Sequence, residues 1–592
     1  MRGDAWFASS APAASHDLRD WSRTFAAPVW SGLAHAPGEV IPLLRAALAE
    51  QARGRWLVLA LAYEAAPAFD PTLPVQAPTG EPLAFAAAYD APLPALPQAP
   101  AGPLAVAPWR PQLSRDAYNR AIAAIRQGIG LGEFYQVNYT FPLESRFDGD
   151  RDVWFAALAA RQQAALCCRL DLGYRSLLSF SPELFFKRQG SRLTVRPMKG
   201  TLPRGAPPEA DAGQAAALAA CPKNQAENRM ITDLMRNDLG RIARPGSVVV
   251  SDLFAVEPLG AAWQMTSTVT ADVPQTVDLV AVLAALFPCG SITGAPKRSA
   301  MAAIRRLEPS PRGFYTGTIG WVAPDGDCLF NVAIRTVSLR HADGHCRFGV
   351  GGGITHDSSS TEEYAECQTK ARFLTDPPPD FALLETLRLD NGRFAFLAQH
   401  RARLAASALA LGFAHNDRAI DDALARAVQE AAGQGRRVRL LLDPAGQVST
   451  ESFPLPVRLS RPARLGLCPA PVDANDPALY HKTTRRERYD RALAACPDCD
   501  DVLLVNTAGE VTESCRANVV ARLGGRLLTP AQSCGLLPGA YRARLLARGV
   551  LTQSRLTPDD LARAEAVWLI NSLRLWTRAT LVRPEIAAPV RR

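Results

Sequence analysis

Apolar residues return at three- and four-residue intervals in several stretches of the chain. In Glu227–Leu239 they fall at Met230, Ile231, Leu234, Met235 and Leu239, the spacing of one helical face, and the free face is polar. A second helical pattern, Thr361–Leu374, carries Glu363, Glu366 and Lys370 at i, i+3 and i+7 along one side. Ala402–Leu411 and Asp417–Ala432 also have helical spacing. Arg192–Arg196, Ser247–Val250, Gly317–Val322, Cys328–Leu339, Val438–Leu442 and Val502–Val505 read as strands. Helices and strands alternate on both sides of Asp376-Pro-Pro-Pro-Asp380, where three prolines forbid helix continuation. The expected organisation is therefore α+β, with a first domain over 1–375, a Pro-rich linker at 376–380 and a second domain over 381–592. A longer Pro-rich stretch, 91–111, reads as a stiff, extended connector.

Composition narrows the class. Of 592 residues, 48% are apolar, too many for a disordered chain and enough for several cores at roughly 150 residues per domain. The net charge of +9 is spread out; a pair such as Arg485-Arg486 reads as solvated surface, so no nucleic-acid partner is expected. The apolar run Trp56–Tyr63 stops well short of the roughly 18 residues of a membrane span, and the start has no signal-peptide pattern. Twelve cysteines are scattered through a large chain, with Cys496-Pro-Asp-Cys499 a lone CxxC, so neither a disulfide framework nor zinc is expected. No membrane association and a cytoplasmic location follow as expectations. The bases are lopsided: Lys plus Arg total 66, but lysine occurs only at 187, 199, 223, 297, 370 and 482. Where Arg serves almost everywhere, a surviving Lys marks a place where an amine can lose its proton and react.

Singly, the polar motifs of the first half have ordinary readings. The Glu227 helix could simply turn a polar face to water. Glu366 and Lys370 could form a surface ion pair worth about 0.3–0.5 kcal/mol. Gly351-Gly-Gly353 could be a turn, or a place where a carboxylate approaches backbone N–H groups. Their order is informative. Tyr135-Gln-Val-Asn138, Pro197-Met-Lys-Gly-Thr201, Ala226–Gly240, Phe287–Lys297, Ala333-Ile-Arg-Thr336, Gly351–Ile354 and Glu363–Lys370 together resemble the chorismate-utilising family over roughly 112–375. That family includes anthranilate, isochorismate and aminodeoxychorismate synthases, and the resemblance implies a β-sandwich-with-helices domain that binds chorismate. It further implies that Glu227 and Glu366 ligate Mg²⁺, which holds one substrate carboxylate, and that Tyr315, Arg335 and the backbone of Gly352 and Gly353 hold the other. Lys370 would add positive charge beside the dianion.

Position 199 separates the branches. The anthranilate-forming branch has a small residue there, and the aminodeoxychorismate-forming branch has lysine. Lys199 would attack ring carbon 2 as the 4-hydroxyl leaves, and Glu183, in Ser181-Pro-Glu, would shuttle the proton. Taken alone, Glu183 could be a surface residue at a strand end. Gln264 stands where many relatives have His, and glutamine cannot act as an acid–base group at neutral pH. No nucleophile-elbow Cys with a downstream His-x-Glu is present, so ammonia is expected free or from a separate glutamine amidotransferase subunit.

In the second half, Lys482 could be an isolated surface lysine. Thr512-Glu-Ser-Cys-Arg-Ala-Asn518 follows about thirty residues later, and Leu536-Leu-Pro-Gly-Ala-Tyr-Arg542 puts Pro and Gly at a helix start, where N–H groups can hold a phosphate. These residues resemble the fold-type IV, branched-chain-aminotransferase-like family over roughly 381–592. The resemblance implies pyridoxal 5'-phosphate anchored on Lys482, with Glu513 at its ring nitrogen. Arg403, Gly539, Ala540 and Ser572 would contact its phosphate. These motifs leave lyase and aminotransferase open. The pairing of the two halves resembles bifunctional proteins that make 4-amino-4-deoxychorismate and then eliminate pyruvate to give 4-aminobenzoate for folate synthesis. The rivals are an anthranilate or isochorismate synthase fused to an amino-acid aminotransferase, and a scaffold with one dead half that binds a glutaminase.

Overall fold

The computed structural model describes residues 3–9, 16–94, 104–162, 164–204, 208–259, 262–376, 379–457 and 459–582. The chain divides into two compact units, Met1–Leu202 with Ala215–Pro377, and Pro378–Arg592 with Pro203–Gln214. Pro377 and Pro378 of the Pro-rich linker, and residues 95–103 of the longer Pro-rich stretch, lie outside the described residues.

The first unit holds two ten-stranded sheets. The strand Trp56–Leu61 shows how they pack. Val58 and Ala60 join a core with Phe7, Leu177 and Ile319, drawn from both sheets, whereas Leu57, Leu59 and Leu61 join a second core with Val40 and Leu44 of the helix Pro37–Gln51. A strand covered on both faces reads as one continuous apolar run, which is why its alternation is invisible in the sequence. The result is a β-sandwich with helices on its outer faces. Residues before 112, outside the expected core, supply strands to both sheets, among them Ala5–Ala8, Arg23–Phe25 and Ala84–Tyr89. The C-terminal part of the Pro-rich stretch is extended but not free: Leu104–Val106 and Arg110–Pro111 pair with the strand Gln136–Gly149.

One expected strand is really two. Cys328–Leu339 breaks after Val332; Cys328–Val332 lies in one sheet and Thr336–Arg340 in the other. The crossover turns on Arg335, held at φ 51°, a left-handed backbone that costs a non-glycine residue of order 1 kcal/mol. Helices Pro222–Gly240 and Ser360–Thr375 run somewhat beyond the predicted spans.

The second unit has a four-stranded antiparallel sheet, containing Leu383–Asp390 and Arg436–Leu442, packed by helices Leu397–Leu411 and Asp417–Ala431. An eight-stranded mixed sheet contains Asp501–Val505, Val511–Ser514 and Asn518–Leu523. No helix among the described residues is long and apolar enough to cross a membrane.

Candidate active sites

In the first unit the strand His345–Ile354 pairs with Gln136–Gly149, setting Gly352 opposite Tyr139 and Gly353 opposite Asn138. Beside these glycines opens a cavity of about 220 Å³ lined by all nine first-half candidates. Lys199 enters it from the strand Met198–Pro203, and its Nζ donates to the Ser291 carbonyl at 3.0 Å. A Cβ on Gly353 would sit 2.4 Å from Gln136 Nε2 and 3.4 Å from Lys199 Nζ, so only glycine leaves this approach open. Gln264 brackets the same strand, donating to the Gly200 carbonyl at 3.0 Å and accepting from the Thr201 hydroxyl at 3.0 Å.

Glu183 is not a surface residue. It is buried, its Oε1 has no hydrogen-bond partner, and burial pushes its carboxyl up to about 7 against the opposing pull of the Ser291 hydroxyl and Lys199. Across the cavity, burial raises Glu227 above the ordinary glutamate range, with Glu366 adding to the rise and Lys199 and Lys223 opposing it. Glu366 is also penalised by burial, but the Lys370 ammonium at 2.7 Å outweighs that and holds it low. Lys370 also donates to the Gly351 carbonyl at 2.8 Å. Burial brings Arg335 down to about 10, opposed by Glu366, and lifts the Tyr315 phenol well above its ordinary value.

Among the described residues no group of three or more His, Cys, Asp or Glu could hold a metal ion. Two mutually repelling carboxylates on a cavity wall nevertheless fit Mg²⁺, which takes few protein carboxylates and completes its shell with substrate oxygens and water. The cavity also gathers Lys223, Glu363 and Ser291, to which sequence reasoning gave no role. Glu363 was legible, one turn before Glu366 on the same helix side; Ser291 carried no signal of its own.

The second unit has a cavity of about 600 Å³ lined by Arg403, Lys482, Glu513, Gly539, Ala540 and Ser572. Burial brings Lys482 down to about 8, helped by the Arg403 charge and opposed by Glu385. Burial raises Glu513 to about 7, although its Oε1 accepts from the Tyr489 hydroxyl at 3.1 Å. Asn518 Nδ2 reaches Glu513 Oε2 at 3.4 Å and the Leu537 carbonyl at 2.9 Å. Gly539 caps the helix Ala540–Ala547, and a Cβ there would lie 2.0 Å from Asn518 Oδ1.

Arg403 is more constrained than a simple phosphate ligand. Its Nη2 donates to Glu385 Oε2 at 2.5 Å and its Nη1 to the Pro538 carbonyl at 3.1 Å. Glu385 also accepts from His400 Nδ1 at 2.6 Å, and His400 Nε2 lies 2.9 Å from Ser572 Oγ. Glu385 is thereby held at about 2 despite its burial, by Arg403 and His400. Glu385, His400 and Tyr489 were missed as site residues; His400 lies three residues before Arg403, but its pairing with Glu385 is tertiary. An ionisable amine, a buried carboxyl and a helix start stripped of side chain fit pyridoxal 5'-phosphate.

Residues 74–376 match the profile of the family described as chorismate binding enzyme. The chain belongs to that family. Residues 382–582 match the amino-transferase class IV profile, so a fold-type IV domain, which implies pyridoxal phosphate, follows the chorismate-binding domain. Over 258 residues, 44% of this chain and 57% of the relative, it is 42% identical to aminodeoxychorismate synthase component 1 of Klebsiella aerogenes. It is also 34% identical over 277 residues, 47% of this chain and 60% of the relative, to anthranilate synthase component 1 of Methanothermobacter marburgensis. The chain thus spans a little over half the length of these two relatives. The menaquinone-specific isochorismate synthase of Escherichia coli shares the fold, with a TM-score of 0.50 at 17% identity, over 63% of this chain and 87% of that one.

Proposed function

We propose that the first cavity aminates chorismate to 4-amino-4-deoxychorismate and that the second eliminates pyruvate from that product, leaving 4-aminobenzoate for folate synthesis. The observation that carries the first step is an amine, Lys199, in one cavity with a buried carboxyl, Glu183, raised to about 7. A carboxyl there is available in its acid form near neutrality. Lys199 attacks ring carbon 2, the double bond shifts, and the 4-hydroxyl leaves with the Glu183 proton. Ammonia then adds at carbon 4 and the lysine is expelled. Arg335 and Tyr315, with the backbone of Gly352 and Gly353, take one carboxylate, and Lys370 adds positive charge. Glu227 and Glu366 would hold Mg²⁺, which neutralises the other carboxylate.

In the second cavity bound pyridoxal phosphate would supply an electron sink for the substrate carbon next to its amine. Lys482, brought down to about 8, can take the proton from that carbon near neutral pH. Glu513 would sit at the cofactor's ring nitrogen. The N–H groups at Gly539 and Ala540, with Arg403 and Ser572, would hold its phosphate. Ammonia is supplied by a separate glutamine amidotransferase subunit or by free ammonium. All twelve cysteines are thiols, which suits a reducing cytoplasm.

The test is to incubate the purified protein with chorismate, Mg²⁺, ammonium and pyridoxal phosphate and identify the aromatic product. 4-Aminobenzoate is expected. Anthranilate would overturn the first step, and accumulation of 4-amino-4-deoxychorismate the second.

A further inference from the structure

Eight arginines and Lys482 line the second cavity against a single carboxylate, Glu513. Four of the arginines are spoken for. Arg403 pairs with Glu385, Arg439 with Glu451 at 3.0 Å and Arg485 with Asp380, while Arg542 donates to the Pro530 carbonyl at 2.7 Å. Two more satisfy backbone oxygens: Arg486 that of Cys515 at 2.8 Å, and Arg516 that of Asp500 at 3.2 Å.

Arg437 and Arg574 differ from all of these. Each keeps a buried Nε without a hydrogen-bond partner, and no ion pair joins either to a carboxylate among the described residues. Both residues are half-exposed, so in each guanidinium it is the Nε that has lost water without gaining a partner, and an anion bound in the cavity would recover that loss. Both are also held in place. Arg437 lies 4.6 Å over the Phe453 ring, and the Asn571 side chain fixes the backbone N–H of Arg574 at 2.9 Å. They stand on different walls. Arg437 belongs to the strand Arg436–Leu442 of the four-stranded sheet, and Arg574 immediately precedes the strand Leu575–Leu581 of the eight-stranded one.

Charge balance gives the ligand class. A cofactor phosphate brings roughly two negative charges, to Arg403, Ser572 and the helix start. An ordinary amino acid adds one carboxylate and would leave one of the two arginines unanswered. We propose that Arg437 and Arg574 each receive one carboxylate of a cyclic dicarboxylate, and so select such substrates over monocarboxylate amino acids. This deepens the reading given under Proposed function and rests on it, because 4-amino-4-deoxychorismate carries two carboxylates.

The test uses the full-length protein loaded with pyridoxal phosphate and follows the cofactor absorbance, which reports the second cavity alone. Isophthalate and benzoate, neither of which can react, are the probes. Wild type is expected to bind isophthalate at least about tenfold more tightly than benzoate, and Arg437→Gln and Arg574→Gln each to lose that preference. Arg437→Lys and Arg574→Lys, which keep the charge, should retain part of it and guard against misfolding. An equal affinity for the two probes in wild type overturns the proposal, as does a preference that survives both glutamine substitutions. Loss of bound cofactor in Arg574→Gln would assign that residue to the phosphate and overturn its part. Isophthalate selectivity without 4-aminobenzoate formation would sustain the proposal while refuting the lyase reading.

Discussion

Lys199 and Lys482 are both amines lining cavities, and neither is replaceable by the residue this chain otherwise prefers. Guanidinium stays protonated at any pH the fold survives, so it can neither attack carbon nor accept a proton. Lys199→Arg is therefore expected to abolish 4-amino-4-deoxychorismate formation as completely as Lys199→Ala, measured by chromatography of the reaction with ammonium. Glu183 gives a pH signature. In the proposed reaction its proton goes to the departing hydroxyl, so turnover should fall as pH rises through about 7. Glu183→Gln should be slower by about a hundredfold or more and lose that limb of the profile. The same shift bears on stability. A folded-state value raised from 4.5 to about 7 contributes stability that is full below 4.5 and lost as pH rises through 7, so the substitution should also flatten the pH dependence of unfolding over that window. Lysine scarcity marked all six lysines alike, and the motifs gave roles only to Lys199, Lys370 and Lys482. Lys223 lines the first cavity. Lys297 donates to Asp238 at 2.8 Å, and Lys187 is buried with Asp20 at 3.7 Å. Burial of a polar side chain depends on what folds over it, which its own neighbours in sequence do not encode.

Among the elements, the strand Met198–Pro203 depends on one cross-strand side chain. Gln264 satisfies the Gly200 carbonyl and the Thr201 hydroxyl, on the two residues that follow Lys199. Gln264→Leu removes this partner from the half-buried Gly200 carbonyl and from the Thr201 hydroxyl. It should lower kcat by about tenfold while the KM for chorismate stays within about twofold, because the substrate contacts lie on other elements. Steady-state kinetics at saturating ammonium separate the two effects. Helices were legible because their apolar spacing is local, whereas sheet membership was not. Ala84–Tyr89 reads AFAAAY, poor in β-formers, and becomes a strand because its neighbours bury both of its faces. The crossover at Ala333-Ile-Arg335 was hidden because no Gly or Pro marks it; the left-handed turn falls on Arg335 itself. The cup at Gly539 was legible for the opposite reason, since Pro and Gly at a helix start are a local signal.

Across the whole molecule, the two cavities share no residue. The first is lined by residues between 138 and 370, all in the first unit, and the second by residues between 384 and 574, all in the second. Neither needs a side chain from the other to complete its chemistry, so single-site variants should fail independently. Lys482→Ala, given chorismate and ammonium, is expected to accumulate 4-amino-4-deoxychorismate. Lys199→Ala should make nothing from chorismate but convert added 4-amino-4-deoxychorismate to 4-aminobenzoate. Mixing the two variants tests whether the intermediate leaves one chain and enters another. With the second cavity binding a dianion from solution, as proposed, the mixture should regain 4-aminobenzoate production, read by its fluorescence. Production should follow a lag that shortens as protein concentration rises. If each variant performs its own half reaction but the mixture stays silent, the intermediate is not exchanged through solvent, and transfer must occur within one chain.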